Sequence, residues 1–383
     1  MNSMNCDSVS GWTSSSVLEL LDKAFVARVA EYDRAKIAAG YAPPPETVYI
    51  TLTNRCQCQC AMCSLGHKRG VAVYRDPAAI SQLVTELASF DCFFVFYRQE
   101  PLLHPALDEI LRIITNSGAQ CQITTNGLLL SKKADEITAN AVRKLWVSVD
   151  GPPDVHDRIR RVPGLFKKVE QGVFATAESR ERANSKYPLT LGLSACVSGE
   201  NYLHLPELFD LVSGWPIDYV VLNHLRFTTP EMVSASRANA LGFSPKPSLR
   251  EDSPLLKIDL GRFHEIMDYG KSVLGTALHE GPRLNDEALF RYYHSSGDVF
   301  AKVPCITSWF VTDIDIDGDL IQCGATHQVR TSPKPTESFM ETWNGPEWRA
   351  LRRTLLAQSP FSSCVRCSHL FNSADRLFQY LAI

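Results

Sequence analysis

Residues 51–63 read TLTNRCQCQCAMC, and this stretch decides how the rest of the chain is interpreted. Cys56, Cys60 and Cys63 follow a C-x3-C-x2-C spacing, and the apolar run Val48–Thr53 beside them predicts a β-strand. The three cysteines are therefore expected on one loop at the end of that strand. Three thiolates on one loop can bind three irons of a 4Fe–4S cluster and leave the fourth iron open. The alternative is a zinc site completed by a remote ligand.

Beyond the cysteine loop, the chain alternates between apolar runs that predict strands and stretches that predict helices. Five further strands are predicted at Cys92–Tyr97, Cys121–Thr125, Lys144–Val149, Leu189–Val197 and Tyr219–Asn223. Helices are predicted between them at 77–90, 105–117, 131–140, 166–179 and 203–213. Strands and helices in alternation indicate an α/β fold with a parallel sheet and right-handed crossovers, either open or curled into a partial barrel. In such sheets the functional groups collect at the carboxyl ends of the strands.

Composition narrows the possible partners. The 383 residues include 39 Lys and Arg against 42 Asp and Glu, so the formal charge of −3 gives no basic surface for nucleic acid. No run approaches the roughly 20 apolar residues that span a bilayer, and the first residues do not resemble a signal peptide. We therefore expect a cytoplasmic protein without nucleic-acid or membrane partners. In a reducing cytosol, clustered cysteines favour metal ligands over disulfides.

With the strands that follow it, the cysteine loop resembles that of the radical S-adenosylmethionine (radical SAM) superfamily, where the same motif follows the first strand of a partial (β/α)6 barrel. The resemblance covers about Thr47–Asn223. It implies that Cys56, Cys60 and Cys63 hold a site-differentiated 4Fe–4S cluster at which S-adenosylmethionine is reductively cleaved. It also implies an external electron donor such as flavodoxin or ferredoxin, and a 5′-deoxyadenosyl radical that abstracts hydrogen from a substrate.

Further positions resemble the cofactor site of this family. Met62 stands where members often carry an aromatic residue near the adenine, and Glu100 belongs to the tetrad, usually Gly-Gly-Glu-Pro, that meets the methionine ammonium. Here Arg98 and Gln99 replace the two glycines, and Arg98 is expected either to act at the site or to form a structural ion pair. The resemblance implies further cofactor-binding residues at the ends of the next strands and in an H-D-x-x-R motif, namely Gln99, Asn126, Ser148, Asp150 and Arg160.

A second cysteine group lies near the end of the chain and comprises Cys305, Cys323, Cys364 and Cys367. Asp317-Gly318 between two apolar runs predicts a hairpin there. The spacing alone suits a structural zinc site. The order of a cysteine, a hairpin, a second cysteine, Trp343-Asn344-Gly345-Pro346 and C-x2-C resembles the SPASM/twitch extension of the radical SAM superfamily. That resemblance implies an auxiliary 4Fe–4S cluster with all four irons ligated.

Several reactions are compatible with two clusters. Family members similar to this chain suggest oxidation of a small polar, sugar-like or aminocyclitol-like substrate, with the auxiliary cluster as electron acceptor. An epimerase would need a hydrogen-atom donor, for which Cys196 is the candidate, and His224 is the candidate proton acceptor. Both residues have ordinary alternatives, as a small buried thiol and a packed histidine. A peptide-modifying maturase is disfavoured because residues 1–46 are shorter than a peptide-binding domain. A zinc-stabilised binding module without catalysis is the alternative from a different class.

We therefore predict four regions in the chain. Residues 1–46 form a tail and a helix, with the helix at Val17–Ala39, and residues 47–225 form the partial barrel. Residues 226–302 form a connecting segment with helices, and residues 303–383 form the twitch-like module with its β-hairpin and helix.

Overall fold

The computed structural model describes residues 15–19, 21, 33–63, 70–183, 185–236, 247–295, 297–300, 304–322, 329–333 and 337–371. Most of the predicted tail and part of the helix predicted at Val17–Ala39 lie outside these residues. That helix is not continuous, because Asp33 has an extended backbone and caps a new short helix, Arg34–Ala38. Its carboxylate accepts a hydrogen bond from the Lys36 amide, as an N-cap residue does. Within the described residues, no helix has the length and apolarity required to cross a membrane.

The strands belong to one sheet. In chain order they are β1 Thr47–Ile50, β2 Phe93–Phe96, β3 Gln120–Thr125, β4 Val142–Ser148, β5 Thr190–Val197, β6 Tyr219–His224, β7 Leu278–Gly281, β8 Val311–Ile314, β9 Leu320–Gln322 and β10 Val329–Thr331. Their order across the sheet is β10-β9-β8-β1-β2-β3-β4-β5-β6-β7. Each pair from β1 to β7 is parallel, which confirms the predicted α/β class and the six predicted strands.

From residue 33 onward the described residues form the helices α1 Arg34–Ala38, α2 Pro77–Leu87, α3 Leu107–Asn116, α4 Leu130–Thr138, α5 Pro153–Arg160, α6 Leu165–Arg182, α7 Leu205–Val212, α8 Pro230–Ser236, α9 Leu260–Leu274, α10 Asp286–His294, α11 Phe339–Trp343 and α12 Pro346–Gln358. The helices that connect the parallel strands bury apolar faces, such as Ile110 and Ile114 of α3. The strands bury apolar side chains such as Phe94 and Phe96 of β2. The carboxyl ends of β1 to β6 therefore meet at one edge.

Two elements near this edge were absent from the sequence prediction. The strand β7 adds a seventh parallel strand beside β6, with Val220 opposite Leu278. The helix α5 contains the H-D-x-x-R motif and ends at Arg161, whose left-handed φ of 55° stops the helix. Its sequence is short and mostly polar, and its one apolar pair, Val155 and Ile159, is too short a pattern to predict a helix.

The carboxyl-terminal region continues the sheet of the barrel. The strand β8 pairs in parallel with β1, from Thr47 opposite Val311 to Ile50 opposite Ile314. A turn at Asp317-Gly318 then leads into the antiparallel strand β9, as predicted, with Gly318 at a φ of 97°. Cys305, Cys364 and Cys367 of the second cysteine group line a cavity together with Val311 of β8. The boundaries proposed at residues 47, 226 and 303 stay a prediction.

The Trp343-Asn344-Gly345-Pro346 stretch anchors the link that precedes β1. The Trp343 indole donates to the Pro43 carbonyl at 2.9 Å, and the Asn344 amide makes two hydrogen bonds with the backbone of Ala42, both of 2.9 Å. The buried Arg352 guanidinium stacks 4.1 Å from the centroid of the Trp343 ring and donates to the Gly40 carbonyl. The segment that precedes β1 is thus joined to α11, to α12 and to the turn between these helices.

Candidate functional site

The cysteine loop leaves the carboxyl end of β1 and packs on the end of α5. The amides of Gln59 and Ala61 donate to the carbonyls of Arg160 and Ile159, at 3.2 and 3.0 Å. Cys56 and Cys60 are half-buried and Cys63 is exposed. The predicted loop at the end of the first strand is therefore present, and it is tied to the H-D-x-x-R helix by its own backbone.

The electrostatic surroundings favour thiolates on this loop. A hydrogen bond from the Cys58 thiol, together with the Asn126 amide and the Arg160 guanidinium, lowers the pKa of Cys56 to about 6. The Cys58 thiol and Arg160 likewise lower the pKa of Cys60 to about 7. The Asn126 Nδ2 and Arg160 Nη1 atoms each lie 3.7 Å from a sulfur, of Cys56 and Cys60 respectively. Since iron binds the deprotonated sulfur, this donor set fits an iron–sulfur cluster.

At the end of β2 the backbone keeps a conformation that favours glycine. Arg98 and Gln99 have φ values of 67° and 53°, in the left-handed region where residues with a Cβ are uncommon. The two side chains that replace the family's glycines therefore leave the local backbone glycine-like. The Glu100 amide then donates to the Arg55 carbonyl at 2.9 Å, which joins this turn to the cysteine loop.

Glu100 is fully buried between β2 and β3. Its carboxylate accepts hydrogen bonds from the Thr125 hydroxyl at 2.6 Å, from the Asn126 amide at 2.7 Å and from the Leu102 amide at 3.1 Å. Burial raises the pKa of Glu100 to about 7, although these hydrogen bonds oppose the shift. The carboxylate thus fixes the ends of two strands relative to each other, a role that the sequence did not predict.

Asn126 links the third strand to the cysteine loop. Besides its contact with Cys56, its Nδ2 atom lies 3.1 Å from the Gln57 side-chain oxygen. Gly127 follows with a φ of 80°, and a Cβ there would lie 2.7 Å from a Val169 methyl group. The turn after β3 therefore requires glycine, and it holds Asn126 against the loop.

Asp150 and Arg160 form a buried pair at the end of β4. The Arg160 Nε atom lies 2.5 Å from Asp150 Oδ2, while Asp150 Oδ1 accepts from the Cys196 amide at 2.9 Å. His156 is fully buried, and its Nδ1 atom accepts from the Asp150 amide at 3.1 Å. Its Nε2 atom has no partner among the described residues. Arg160 of the H-D-x-x-R motif therefore pairs with the Asp150 carboxylate, and His156 of the same motif accepts from the Asp150 amide.

The other candidates from the sequence lie around this pair. Ser148 is half-buried and pairs in register with Ser194 of β5, and Met62 is half-buried on the cysteine loop. Cys196 pairs in register with Asn223, and burial raises the pKa of its thiol to about 12. Ser148 and Cys196 thus lie at the same edge of the sheet as Asp150.

His224 is the last residue of β6 and lies among aromatic side chains. Its ring is fully buried beside Phe263, Tyr292 and Tyr293. Nδ1 lies 2.8 Å from the Tyr293 hydroxyl, and Nε2 lies 2.7 Å from a carboxylate oxygen of Glu280 on β7. Because an ionised carboxylate only accepts, Nε2 carries the proton and Nδ1 accepts from Tyr293.

A charged cavity of about 490 Å³ lies beside Tyr293. It is lined by Glu231, Glu251, Leu256, Lys257, Tyr293, His294 and Ser295. The neighbouring loop is tied to the end of β5 by the Gly199 amide, which donates to the Leu255 carbonyl at 2.8 Å. The cavity therefore belongs to the same end of the sheet as the cysteine loop, near β5 and β6.

The second cysteine group lines one cavity with residues of the barrel. Cys305, Cys364 and Cys367 face it, together with Tyr97, Arg98, Arg226, Asp313 and His369. Burial, with the neighbouring thiols Cys305 and Cys367, raises the pKa of Cys364. Cys323 lies outside the described residues. Two of these thiols are buried and Cys367 is half-buried. Neighbouring thiols are a donor set that fits a thiolate-ligated cluster, although no three His, Cys, Asp or Glu side chains of the described ranges form a site for a single metal ion.

Arg366 fixes the C-x2-C turn between its two cysteines. Its guanidinium is almost fully buried and donates to the carbonyls of Tyr292, Arg291 and Ser295, at 3.0, 2.8 and 2.6 Å. These carbonyls lie at the end of α10, where a cation is favourable. The turn is therefore held against the same helix that carries Tyr293.

Comparison with known proteins relates part of the chain to a family. A family model, described as the radical SAM superfamily, matches residues 50–212. A cofactor-modifying protein for the tungsten-containing aldehyde ferredoxin oxidoreductase of Pyrococcus furiosus is 25% identical over 191 residues, which are 49% of this chain and 53% of that protein. An AdoMet-dependent heme synthase of Methanosarcina barkeri is 30% identical over 44% of this chain and 47% of that protein. The chain thus spans about half the length of these curated relatives.

Solved structures show the likeness over a longer part of the chain. Streptococcus suis SuiB bound to S-adenosylmethionine superposes with a TM-score of 0.59 at 15% identity, covering 86% of this chain and 72% of SuiB. The protein anSMEcpe with bound AdoMet superposes with a TM-score of 0.53 at 14% identity, covering 87% of this chain and 98% of anSMEcpe. At these identities the superpositions show a common fold.

Proposed function

We propose, from the match of residues 50–212 to the radical SAM superfamily model, that the chain is a radical SAM oxidoreductase acting on a small polar substrate such as a sugar or an aminocyclitol. The proposed cluster ligands are Cys56, Cys60 and Cys63 for the first site and Cys305, Cys323, Cys364 and Cys367 for the auxiliary site. When bound, the first cluster with S-adenosylmethionine supplies the 5′-deoxyadenosyl radical, and the auxiliary cluster supplies an electron acceptor.

The observation that carries the oxidation is the shared cavity of the second cysteine group. Cys305, Cys364 and Cys367 line it together with Tyr97 and Arg98, which follow β2. Glu100, two residues further on, is tied to the first cysteine loop. A cluster with four protein ligands cannot chelate a substrate without losing a ligand, whereas it can accept an electron. Its position beside the carboxyl edge supports that role.

The cofactor site is proposed at the ends of the first four strands. Its residues are Met62, Gln99, Glu100, Asn126, Ser148, Asp150 and Arg160. Asp150 orients the Arg160 guanidinium, which can then face the methionine carboxylate as a charge-assisted donor. Contact of Glu100 with the methionine ammonium stays a prediction, and its buried hydrogen bonds support a second role in positioning the Arg98–Gln99 turn.

His224 is the proposed proton acceptor, acting through Tyr293. The substrate loses a hydrogen atom, a proton and an electron in this oxidation. Tyr293 can pass its hydroxyl proton to His224 Nδ1 while it takes the substrate proton, and Glu280 stabilises the resulting imidazolium. The charged lining of the 490 Å³ cavity beside Tyr293 supports a small polar substrate, since small-molecule sites are typically about 300–1,000 Å³.

An epimerase acting on the same substrate class is the second candidate. The residue that favours this candidate is Cys196. Burial raises the pKa of its thiol to about 12, so the sulfur stays protonated and can donate a hydrogen atom. A peptide-modifying role is the third outcome to be tested, because SuiB has also been solved with its precursor peptide SuiA.

The test uses anaerobically reconstituted protein, S-adenosylmethionine, a chemical reductant and a panel of aminocyclitols and aminoglycosides in heavy water. Oxidation predicts about one oxidised product per 5′-deoxyadenosine and no deuterium at the reacting carbon. Cys364→Ala should then still form 5′-deoxyadenosine but yield no oxidised product, with circular dichroism and iron counts as controls for folding. Deuterium at that carbon, abolished by Cys196→Ala, would establish the epimerase. Turnover of peptides alone would overturn the substrate class.

A further inference from the structure

Arg226 is a cation on the wall of the cavity that Cys305, Cys364 and Cys367 line. It follows β6 by two residues, and its Nη1 atom lies 3.9 Å from Cys367 Sγ. Among the residues that the structure describes, no carboxylate lies within ion-pair distance of its guanidinium. Asp313 attracts the guanidinium only from beyond that distance. A half-buried charge that is so weakly compensated is costly, so this position favours an anion in the cavity.

The other two arginines around the cavity differ from Arg226. The Arg98 Nη2 atom lies 3.4 Å from Asp313 Oδ2, and its Nε donates to the Tyr97 hydroxyl at 2.8 Å, which in turn donates to Asp313 Oδ1. The charge of Arg98 is therefore balanced by Asp313. Arg366 directs its donors to backbone carbonyls at the end of α10. Arg226 is thus left with a cysteine sulfur as its described partner.

We propose that Arg226 raises the reduction potential of the auxiliary cluster by stabilising its reduced form, an inference that rests on the proposed presence of that cluster. Reduction adds one negative charge close to the guanidinium, and Coulomb attraction between the two charges stabilises the reduced form. The electron comes from the substrate radical, whose proton leaves to a base, so that charge and atoms balance. Arg226 is a positioning residue that acts through the cluster.

The test measures the midpoint potential by redox titration monitored by electron paramagnetic resonance. The full-length chain carries Cys56→Ala, Cys60→Ala and Cys63→Ala, so that the auxiliary cluster alone gives the signal. In this background Arg226→Gln should make reduction at least about tenfold less favourable, a shift of about 59 mV to lower potential for a one-electron couple. Arg226→Lys keeps the charge and should retain most of the potential.

Arg112→Gln is the matched control, because it removes the same charge from an exposed side chain of α3. If the midpoint potential of Arg226→Gln equals that of Arg112→Gln, the inference is overturned. It is also overturned if Arg226→Lys lowers the potential as much as Arg226→Gln does. If Arg226→Gln assembles no cluster, the potential of Arg226→Lys is the test. A potential close to that of the unaltered residue supports the role of the charge, and a large fall contradicts it. Failure of the background protein to bind any cluster would instead overturn the proposed function at this site.

Discussion

Arg160 donates from Nε to Asp150 Oδ2 across 2.5 Å, in a pair whose carboxylate is fully buried. The pair joins the end of β4 to α5, and through α5 to the backbone of the cysteine loop. A change in either residue is therefore expected to affect both the stability of this edge and the cofactor site.

Asp150→Asn tests how much this pair contributes to the free energy of unfolding. Removing one partner of a buried pair leaves an uncompensated charge, and typically costs about 3–5 kcal/mol. We expect a decrease of that order in the free energy of unfolding, measured with urea under anaerobic conditions. Asp108→Asn is the control, because Asp108 pairs with Arg112 at the exposed surface of α3 and such pairs contribute about 0–1 kcal/mol. Equal effects of the two substitutions would contradict this assignment.

His156 should make stability depend on pH. Burial lowers its pKa from the ordinary value of 6.5 to about 4. Because the folded-state pKa is depressed, the neutral imidazole contributes fully above pH 6.5, and its contribution is lost as the pH falls from 6.5 towards 4. His156→Asn keeps an acceptor for the Asp150 amide but cannot be protonated. The difference in unfolding free energy between the two proteins should therefore change over this pH range. A difference that is constant from pH 4 to 8 would refute the assignment.

Glu100→Gln should weaken binding of S-adenosylmethionine and leave the iron content unchanged. A hydrogen bond to a charged group contributes about 1.5–3 kcal/mol, so an affinity loss of about 10- to 150-fold is expected. Equilibrium dialysis measures it, with Glu136→Gln on α4 as a control that should bind normally. Unchanged affinity of the Glu100 variant would mean that other groups bind the methionine ammonium.

Gln99 tests the conformation that replaces the two glycines. Its left-handed φ of 53° costs an ordinary residue about 1–2 kcal/mol, which a glycine avoids. Gln99→Gly should keep or slightly raise the melting temperature, whereas Gln99→Val should lower it because a β-branched side chain resists this region. The reverse order in differential scanning calorimetry would show that the turn is not strained.

Local patterns account for the parts of the site that sequence analysis predicted. Cys56, Asn126 and Asp150 each follow an apolar run, and parallel strands bring their ends to one edge whatever the intervening helices contain. The same reasoning missed β7, which is short and weakly apolar, and α5, which is polar. It also predicted one helix across Asp33, where an N-cap interrupts the chain.

Contacts between distant residues could not be predicted from spacing. Tyr97 and Asp313 are 216 positions apart, and they meet because β8 pairs with β1 beside β2. Likewise Glu280 reaches His224 only through β7. Arg226 carries no motif, and its position beside Cys367 depends on how the C-x2-C turn docks on α10. Such contacts are set by tertiary packing, which the sequence pattern of one element does not contain.

The most direct test of the account is reductive cleavage of S-adenosylmethionine by the Cys56→Ala, Cys60→Ala, Cys63→Ala variant. The unaltered protein should hold about eight irons and the variant about four, since each cluster contains four. Cys121→Ala, which removes a buried thiol of β3 away from the loop, should keep both the iron and the activity. The triple variant should form no 5′-deoxyadenosine under reducing conditions, while Cys121→Ala should form it at the normal rate. Formation of 5′-deoxyadenosine by the triple variant would contradict the assignment of the cysteine loop.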